Sequence, residues 1–257
     1  CPNGALTRLP NGQINVNRDL CRGCGACALA CPANAMELLG QEISINDLTA
    51  ELLKDRAYYL TGGGGVTASG GEPTLQASFV AKLFAQLQAS GVHTALDTCG
   101  LCKFQSLEII LPYTDLVLYD IKLIDPQDHS RTTGHDNQRI LQNLLTIAEL
   151  MRTNRIQPRL WIRTPLIPGI TTTESNLQAI SAFLHKHLDG LIDRWELCAF
   201  NNLCRDKYRR LGLPWRFESA PLMTQNELDA CDTIAKSGPF ESSKIWVTGA
   251  AKTEMRT

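Results

Sequence analysis

Five of the ten cysteines in this 257-residue chain fall within its first 31 positions. Four of them stand as Cys21-x2-Cys24-x2-Cys27-x3-Cys31, followed at once by Pro32. No other feature limits the fold as tightly. Thiolates at this spacing wrap a common centre, and a segment built around them folds on a metal rather than on an apolar core. Ten cysteines in a chain of this length are too dilute for a disulfide scaffold, so the clustering reads as ligation in a reducing compartment. The chain also opens on Cys1-Pro2-Asn3-Gly4-Ala5-Leu6, a pattern that returns as Cys31-Pro32-Ala33-Asn34-Ala35-Met36. The first copy holds only the tail of a four-cysteine run.

Zinc sites pair two separated Cys-x2-Cys knuckles, whereas three thiolates two residues apart suit three corners of an iron–sulfur cubane. Iron–sulfur ligation is the favoured reading and structural zinc the alternative. Two such runs, each with Pro after the last Cys, are the ligand pattern of a two-cluster bacterial ferredoxin, in which the fourth Cys of each run serves the other cluster. On that rule Cys1 joins Cys21, Cys24 and Cys27, and Cys31 belongs with three cysteines that are not in the sequence. The expectation is a chain that starts inside such a module.

The remaining composition is that of a globular α/β protein, 44% hydrophobic and 20% charged. A net charge of −1 without a long basic run argues against nucleic acid or an anionic membrane as partner. No stretch approaches the ~18 apolar residues of a membrane span. No signal peptide is visible, and the cytoplasm is the expected location. Two domains are predicted: a ferredoxin-like insert over 1–40 and an α/β domain over 41–257. Leu48, Leu52, Leu53 and Ala57 recur at helical spacing, which predicts a helix over 47–59. Apolar strands then alternate with helical patterns. The strands are predicted at 64–69, 93–98, 116–122, 160–165 and 195–200, and the helices at 75–90, 104–111, 137–152 and 173–188. A helix at 225–236 and a late strand at 244–248 form the tail. Five βα units predict a parallel barrel or open barrel. Neither a Rossmann glycine fingerprint nor a P-loop is present.

In parallel barrels functional groups collect where strands end. Ser69-Gly70-Gly71-Glu72, Asp97-Thr98, Asp120-Ile121-Lys122, Arg163-Thr164 and Asn201-Asn202 all fall there. The glycines of 62–73 let backbone approach a ligand, and Glu72 suits a ligand ammonium. The plainer readings are a tight turn at Gly70-Gly71, a structural ion pair between Asp120 and Lys122, and a rim salt bridge at Arg163.

Several strings occur in order: Gly-Gly-Val-Thr-Ala-Ser-Gly-Gly-Glu-Pro (64–73), Leu-Asp-Thr-Cys-Gly (96–100) and Asp-Leu-Val-Leu-Tyr-Asp-Ile-Lys (115–122). His129 with Thr133-Gly134 and Asn137, Trp-Ile-Arg (161–163) and Ile-Pro-Gly (167–169) follow. From residue 1 to about 215 the chain resembles the activating enzymes of glycyl radical enzymes. These form a branch of the radical S-adenosylmethionine (SAM) superfamily, and the resemblance is to members with a two-cluster ferredoxin insert. It implies an α/β fold: a partial (β/α)6 TIM-like radical SAM barrel lacking its first strand, with a small ferredoxin-like 4Fe–4S insert at the N-terminus. It implies an anaerobic, cytoplasmic iron–sulfur oxidoreductase that cleaves SAM at a separate [4Fe–4S] cluster. The resulting 5′-deoxyadenosyl radical takes hydrogen from a glycine of a partner enzyme. By the same resemblance Gly70, Gly71 and Glu72 hold the methionine amino group, while Asp97, Thr98 and Asp120 lie near the carboxylate with a bound monovalent cation. Asp120, Ile121, Lys122 and Arg163 complete the contact. The implied partners are a glycyl radical enzyme and an electron donor such as flavodoxin or ferredoxin, with up to three [4Fe–4S] clusters in the full-length protein.

Two departures qualify this picture. The family's Cys-x3-Cys-x2-Cys, which holds the catalytic cluster, is not in the sequence, since Cys27-x3-Cys31 is followed by Asn34 at the third place. The chain is therefore expected to be truncated upstream, to carry no catalytic residue of its own, and to be inactive as written. Asn201 stands where many relatives have His and is able to hydrogen-bond a ligand without titrating near neutral pH. Cys99-x2-Cys102 has the spacing of a redox pair, but the place of Cys99 at a strand end argues against that role. Cys198, Cys204 and Cys231 read as buried thiols, and His129 as a hydrogen-bonding residue of its loop. Two alternatives stay open: a ferredoxin-type electron carrier on an idle barrel, and a radical SAM enzyme acting on a small molecule.

Overall fold

In the computed structural model, residues 1–252 are described and the chain falls into two compact units, Cys1–Leu48 and the part from Thr49 onward. The first holds a hairpin of β1 (Leu6–Arg8) and β2 (Ile14–Val16), with Thr7 opposite Asn15. Gly12, at φ +85°, turns the chain between them. The sequence pattern did not predict this hairpin, because three-residue strands are too short to show alternation. A single helical turn, α1 (Ala26–Leu29), carries Cys27. Within residues 1–48 only Ala5 is buried, and Leu29 is 91% exposed. A unit so poor in core needs another source of stability, and thiol ligation of a metal is the one its sequence offers.

The division falls within α2 (Ile45–Leu52). Ser44 caps this helix, accepting the Asp47 N–H at 3.1 Å and donating to its carboxylate at 2.6 Å. That cap starts the helix two residues before the apolar spacing predicts. A 3₁₀ turn at Leu53–Asp55 separates it from α3 (Arg56–Gly62), so the single helix expected over 47–59 is two.

The second unit continues with β3 (Gly65–Ala68), α4 (Ala77–Ala89), β4 (His93–Thr98), α5 (Phe104–Ile110) and β5 (Leu116–Asp120). After these come α6 (Pro126–Thr133), α7 (Gln138–Arg152), β6 (Arg159–Leu166), α8 (Glu174–Leu188) and β7 (Arg194–Ala199). The last elements are α9 (Arg205–Leu211), α10 (Gln225–Lys236) and β8 (Ile245–Thr248). β3 to β8 form one parallel sheet of six strands in chain order. An order that never doubles back belongs to a barrel wall, not to a doubly wound sheet. The predicted α/β class with a parallel sheet therefore holds, and the late strand joins it as the sixth member, beside β7. The helix α6 was not predicted, although its signals are in the sequence. The Asp125 carboxylate accepts the N–H groups of Gln127 and Asp128, Pro126 follows it, and Gly134 ends the helix at φ +86°.

Alternation along the strands separates two faces. In β6, Leu160, Ile162, Thr164 and Leu166 are fully buried, while Trp161, Arg163 and Pro165 turn the other way. The buried face packs on apolar helix residues such as Phe84, Leu144, Ile147 and Ile180, each with no exposed surface. Thr164 is satisfied there, donating to the Ile121 carbonyl at 2.8 Å and accepting from Trp195 Nε1 at 3.0 Å. Gly100 follows β4 at φ +70°, where a Cβ would lie 1.8 Å from the Tyr119 hydroxyl. Among the described residues no helix is long and apolar enough to cross a membrane.

The contrast between units gives the first prediction. In protein treated with an iron chelator, amides of residues 1–48 should exchange about a thousandfold faster than those of β4–β7, which open only with the core. Native-state hydrogen exchange checks this. Equal protection in both units would show that the first needs no metal.

Candidate functional site

Residues on the face turned away from the helices line up across the sheet by register. One row reads Asp97, Leu118, Trp161, Arg194, and the next toward the strand ends reads Asp120, Arg163, Glu196, Trp246. Four strands thus bring charge to one surface, and β8 adds Trp246 beside it. Arg163 Nη1 lies 3.0 Å from Asp97 Oδ1, and Ser69 Oγ donates to the other oxygen of Asp97 at 2.8 Å. Lys122 Nζ lies 2.9 Å from Asp120 Oδ2. Arg163 Nε is 3.3 Å from Glu196 Oε2, and Arg194 Nη1 is 3.6 Å from Glu196 Oε1. Three carboxylates face three cations. All are about a quarter exposed or less, so these pairs are screened less than surface pairs while staying open on one side.

Gly70 and Gly71 begin the loop after β3. Gly70 sits at φ +114°, and no atom comes within 4 Å of the place a Cβ would occupy on either residue. A ligand therefore has room to lie directly against this backbone. Glu72 is used differently from expectation. One oxygen accepts the Thr74 N–H at 3.2 Å, the Thr74 hydroxyl at 2.7 Å and the Thr98 hydroxyl at 2.7 Å, and the other accepts the Cys99 N–H at 3.0 Å. Burial pushes the Glu72 carboxyl up, but these donors outweigh it and hold it below the usual carboxylate range. Glu72 thus ties the glycine loop to the end of β4, and Thr98, only 2% exposed, is part of the same tie. An ammonium would meet the outer side of an acceptor already well supplied.

The Ile121 side chain is buried. Its N–H donates to the Arg163 carbonyl at 2.9 Å and its carbonyl accepts from Thr164, so its backbone holds β5 to β6. Lys122 stands on a loop fastened by two amides. Asn137 Nδ2 donates to the Leu123 and Ile124 carbonyls, and Asn176 Nδ2 donates to the Lys122 carbonyl at 3.0 Å. His129 is buried, its Nδ1 2.6 Å from the His135 carbonyl oxygen. Asn201 follows β7 and is exposed, its side-chain oxygen accepting the Leu203 N–H at 3.2 Å. Glu196, Arg194 and Trp161 were missed as members of this surface. The available signal was period two: Trp161 lies two residues from Arg163, Glu196 is in register with Arg163, and Arg194 lies two residues from Glu196.

The rim fits SAM in donor chemistry, since a zwitterion that is also a sulfonium calls for carboxylates and cations on one surface beside open backbone. The N-terminal thiols fit iron–sulfur by donor type and spacing. The Cys31 thiol is drawn down by backbone N–H groups of Ala35, Met36 and Ala33, and its Sγ accepts the Ala35 N–H at 3.2 Å. Among the described residues, however, no three of the His, Cys, Asp and Glu side chains are arranged to hold a metal ion. That includes Cys1, Cys21, Cys24, Cys27 and Cys31, and equally the rim carboxylates considered for a monovalent cation.

A second prediction concerns Glu72. Its folded-state pKa lies below its unfolded value of about 4.3, so its contribution is complete above that pH and fades as pH falls through the folded value. Glu72→Gln should cost about 2 kcal/mol of stability at pH 7. The gap to the wild type should hold above about pH 4.3 and close as pH falls from there through the folded-state value. Denaturant unfolding across pH checks this, and a gap that persists at low pH would contradict it.

The profile of the radical SAM superfamily matches residues 20–176. The chain is 36% identical over 220 residues to the (2S)-3-sulfopropanediol dehydratase activating enzyme of Klebsiella oxytoca, covering 85% of this chain and 68% of that protein. It is 34% identical over 262 residues to the trans-4-hydroxy-L-proline dehydratase activating enzyme of Clostridioides difficile, covering 90% and 84%. The chain spans between 65% and 68% of the length of four of the curated relatives it matches. Among solved structures, a domain of the pyruvate-formate lyase-activating enzyme from Bacteroides vulgatus superposes with a TM-score of 0.55 at 24% identity. That match covers 72% of this chain and 99% of the domain, and it supports the fold. Proteins of the superfamily use a [4Fe–4S] cluster and SAM. In-order parallel strands, a glycine loop and a rim of paired charges therefore have their explanation: the chain belongs to the radical SAM superfamily, among the activating enzymes of glycyl radical enzymes.

Proposed function

We propose that this chain is the SAM-binding part of an activase that installs a radical on a backbone glycine of a partner enzyme. The observation that carries the reading is the rim itself, where Asp97, Asp120, Lys122 and Arg163 gather beside Gly70-Gly71. When bound, the cluster supplies one electron and SAM supplies methionine and a 5′-deoxyadenosyl radical, which removes a hydrogen atom from the glycine and leaves as 5′-deoxyadenosine.

The chain's own residues bind and orient. Lys122 and Arg163 offer cations to the methionine carboxylate, with Asp97 and Asp120 beside it and a monovalent cation between, while the Gly70-Gly71-Glu72 stretch takes the ammonium. The open backbone at Gly70-Gly71 admits the amino-acid end, while Glu72 and Thr98 hold that loop in place. Asn201 lies just beyond β7, at the same end of its strand as the rim residues. For the first unit the spacing supports Cys1, Cys21, Cys24 and Cys27 as ligands of one [4Fe–4S] cluster, with Cys31 serving another. The Cys-x3-Cys-x2-Cys spacing does not occur in residues 1–257. A flavodoxin or ferredoxin is the proposed electron donor, in an anaerobic cytoplasm.

The test is to incubate the full-length protein anaerobically with reductant, SAM and candidate glycyl radical enzymes. The expected result is 5′-deoxyadenosine together with a glycyl-radical EPR doublet on the partner. Asp97→Asn and Lys122→Met should each lower the 5′-deoxyadenosine yield by about tenfold or more. A doublet from no partner, with 5′-deoxyadenosine still formed, would point instead to a small-molecule substrate.

A further inference from the structure

The concave face carries one assembly that the rim reading leaves unused. Arg194, at the start of β7, lies with its guanidinium 4.0 Å from the ring centroid of Trp161 and 4.7 Å from that of Trp246. A planar cation held between two indoles has few rotamers open to it. Its Nη1 faces Glu196 Oε1, and the other oxygen of Glu196 faces Arg163 Nε. Glu196 is the most buried of the three charged groups, with a side chain 13% exposed against 28% for Arg163 and 27% for Arg194. Cations flank this carboxylate on both sides.

We propose that Glu196 and Arg194 are positioning residues for the Arg163 guanidinium, an inference that rests on the SAM reading of the rim. Arg163 stands between two carboxylates, Asp97 and Glu196. Its Nε sits 3.3 Å from Glu196 but at an angle too poor for a hydrogen bond, so the pull is electrostatic. Without that pull, the favoured geometry of an Arg beside one carboxylate is the two-armed fork onto Asp97. Such a fork would compete with Ser69 for Asp97 and turn the guanidinium away from a ligand. Glu196 divides Arg163 between the two carboxylates, and the Trp161–Arg194–Trp246 stack fixes Glu196. The pairing is set by the sheet, because Arg163, Glu196 and Trp246 share one register row.

The test is a double-mutant cycle read by SAM affinity, measured by equilibrium dialysis on the anaerobically prepared full-length protein. Glu196→Gln should weaken SAM binding about tenfold in the wild type and leave it unchanged in an Arg163→Gln background. A merely structural role would lower affinity equally in both. Should Glu196→Gln fail to fold, Arg194→Lys, which keeps the charge but loses the flat stack, should show the same dependence on Arg163 with a loss of about threefold. Wild-type affinity in Glu196→Gln, or equal losses in the two backgrounds, would overturn the proposal. If Arg163→Gln itself binds SAM as tightly as the wild type, the rim reading fails first and takes this proposal with it.

Discussion

The guanidinium of Arg163, shared between Asp97 on β4 and Glu196 on β7, is the interaction on which the site depends. It exists because the sheet is parallel and in chain order. Only that topology sets β4, β5, β6 and β7 side by side with all their C-terminal ends on one edge. Charges of both signs on one half-buried face repel water poorly and attract one another well, so they pair internally until a ligand of matching charge arrives. The pairs are partly exposed, so a ligand of matching charge can reach and exchange them. Binding then becomes a substitution of partners within a fixed frame rather than the creation of one.

The frame was largely legible in the sequence. β4 spans the predicted 93–98, and the strand holding Arg163 differs from the predicted 160–165 by one residue at each end. Alternation of apolar residues reports burial under helices, and burial is what fixes a strand. The charged string ends were legible for the complementary reason, since Asp97, Asp120 and Arg163 interrupt apolar runs where no core would accept them. Glu72 was legible as important but not in its role. Its acceptors are filled by Thr74, Thr98 and Cys99, and such a network depends on a turn that brings residues 72 and 98 together. Glu196 and Arg194 stayed hidden because a charge inside a strand looks like a solvent-facing residue until register supplies its partner. The β1–β2 hairpin was too short for any periodicity to show.

The two units are stabilised by different physics. From Thr49 onward, stability comes from apolar burial beneath helices such as α4, α7, α8 and α10, and the opposite face of the sheet adds specificity through charge. Before that point there is almost no buried surface, and the ordering proposed for it is metal ligation by its thiols.

Hydrogen exchange with and without SAM tests the central claim most directly, since it asks where on the fold the ligand is held. The account predicts added protection in the peptides covering 69–74, 97–100, 120–123 and 161–167, with β8 and the hairpin of β1 and β2 unchanged. Protection that spares the glycine loop and the ends of β4, β5 and β6 would contradict it.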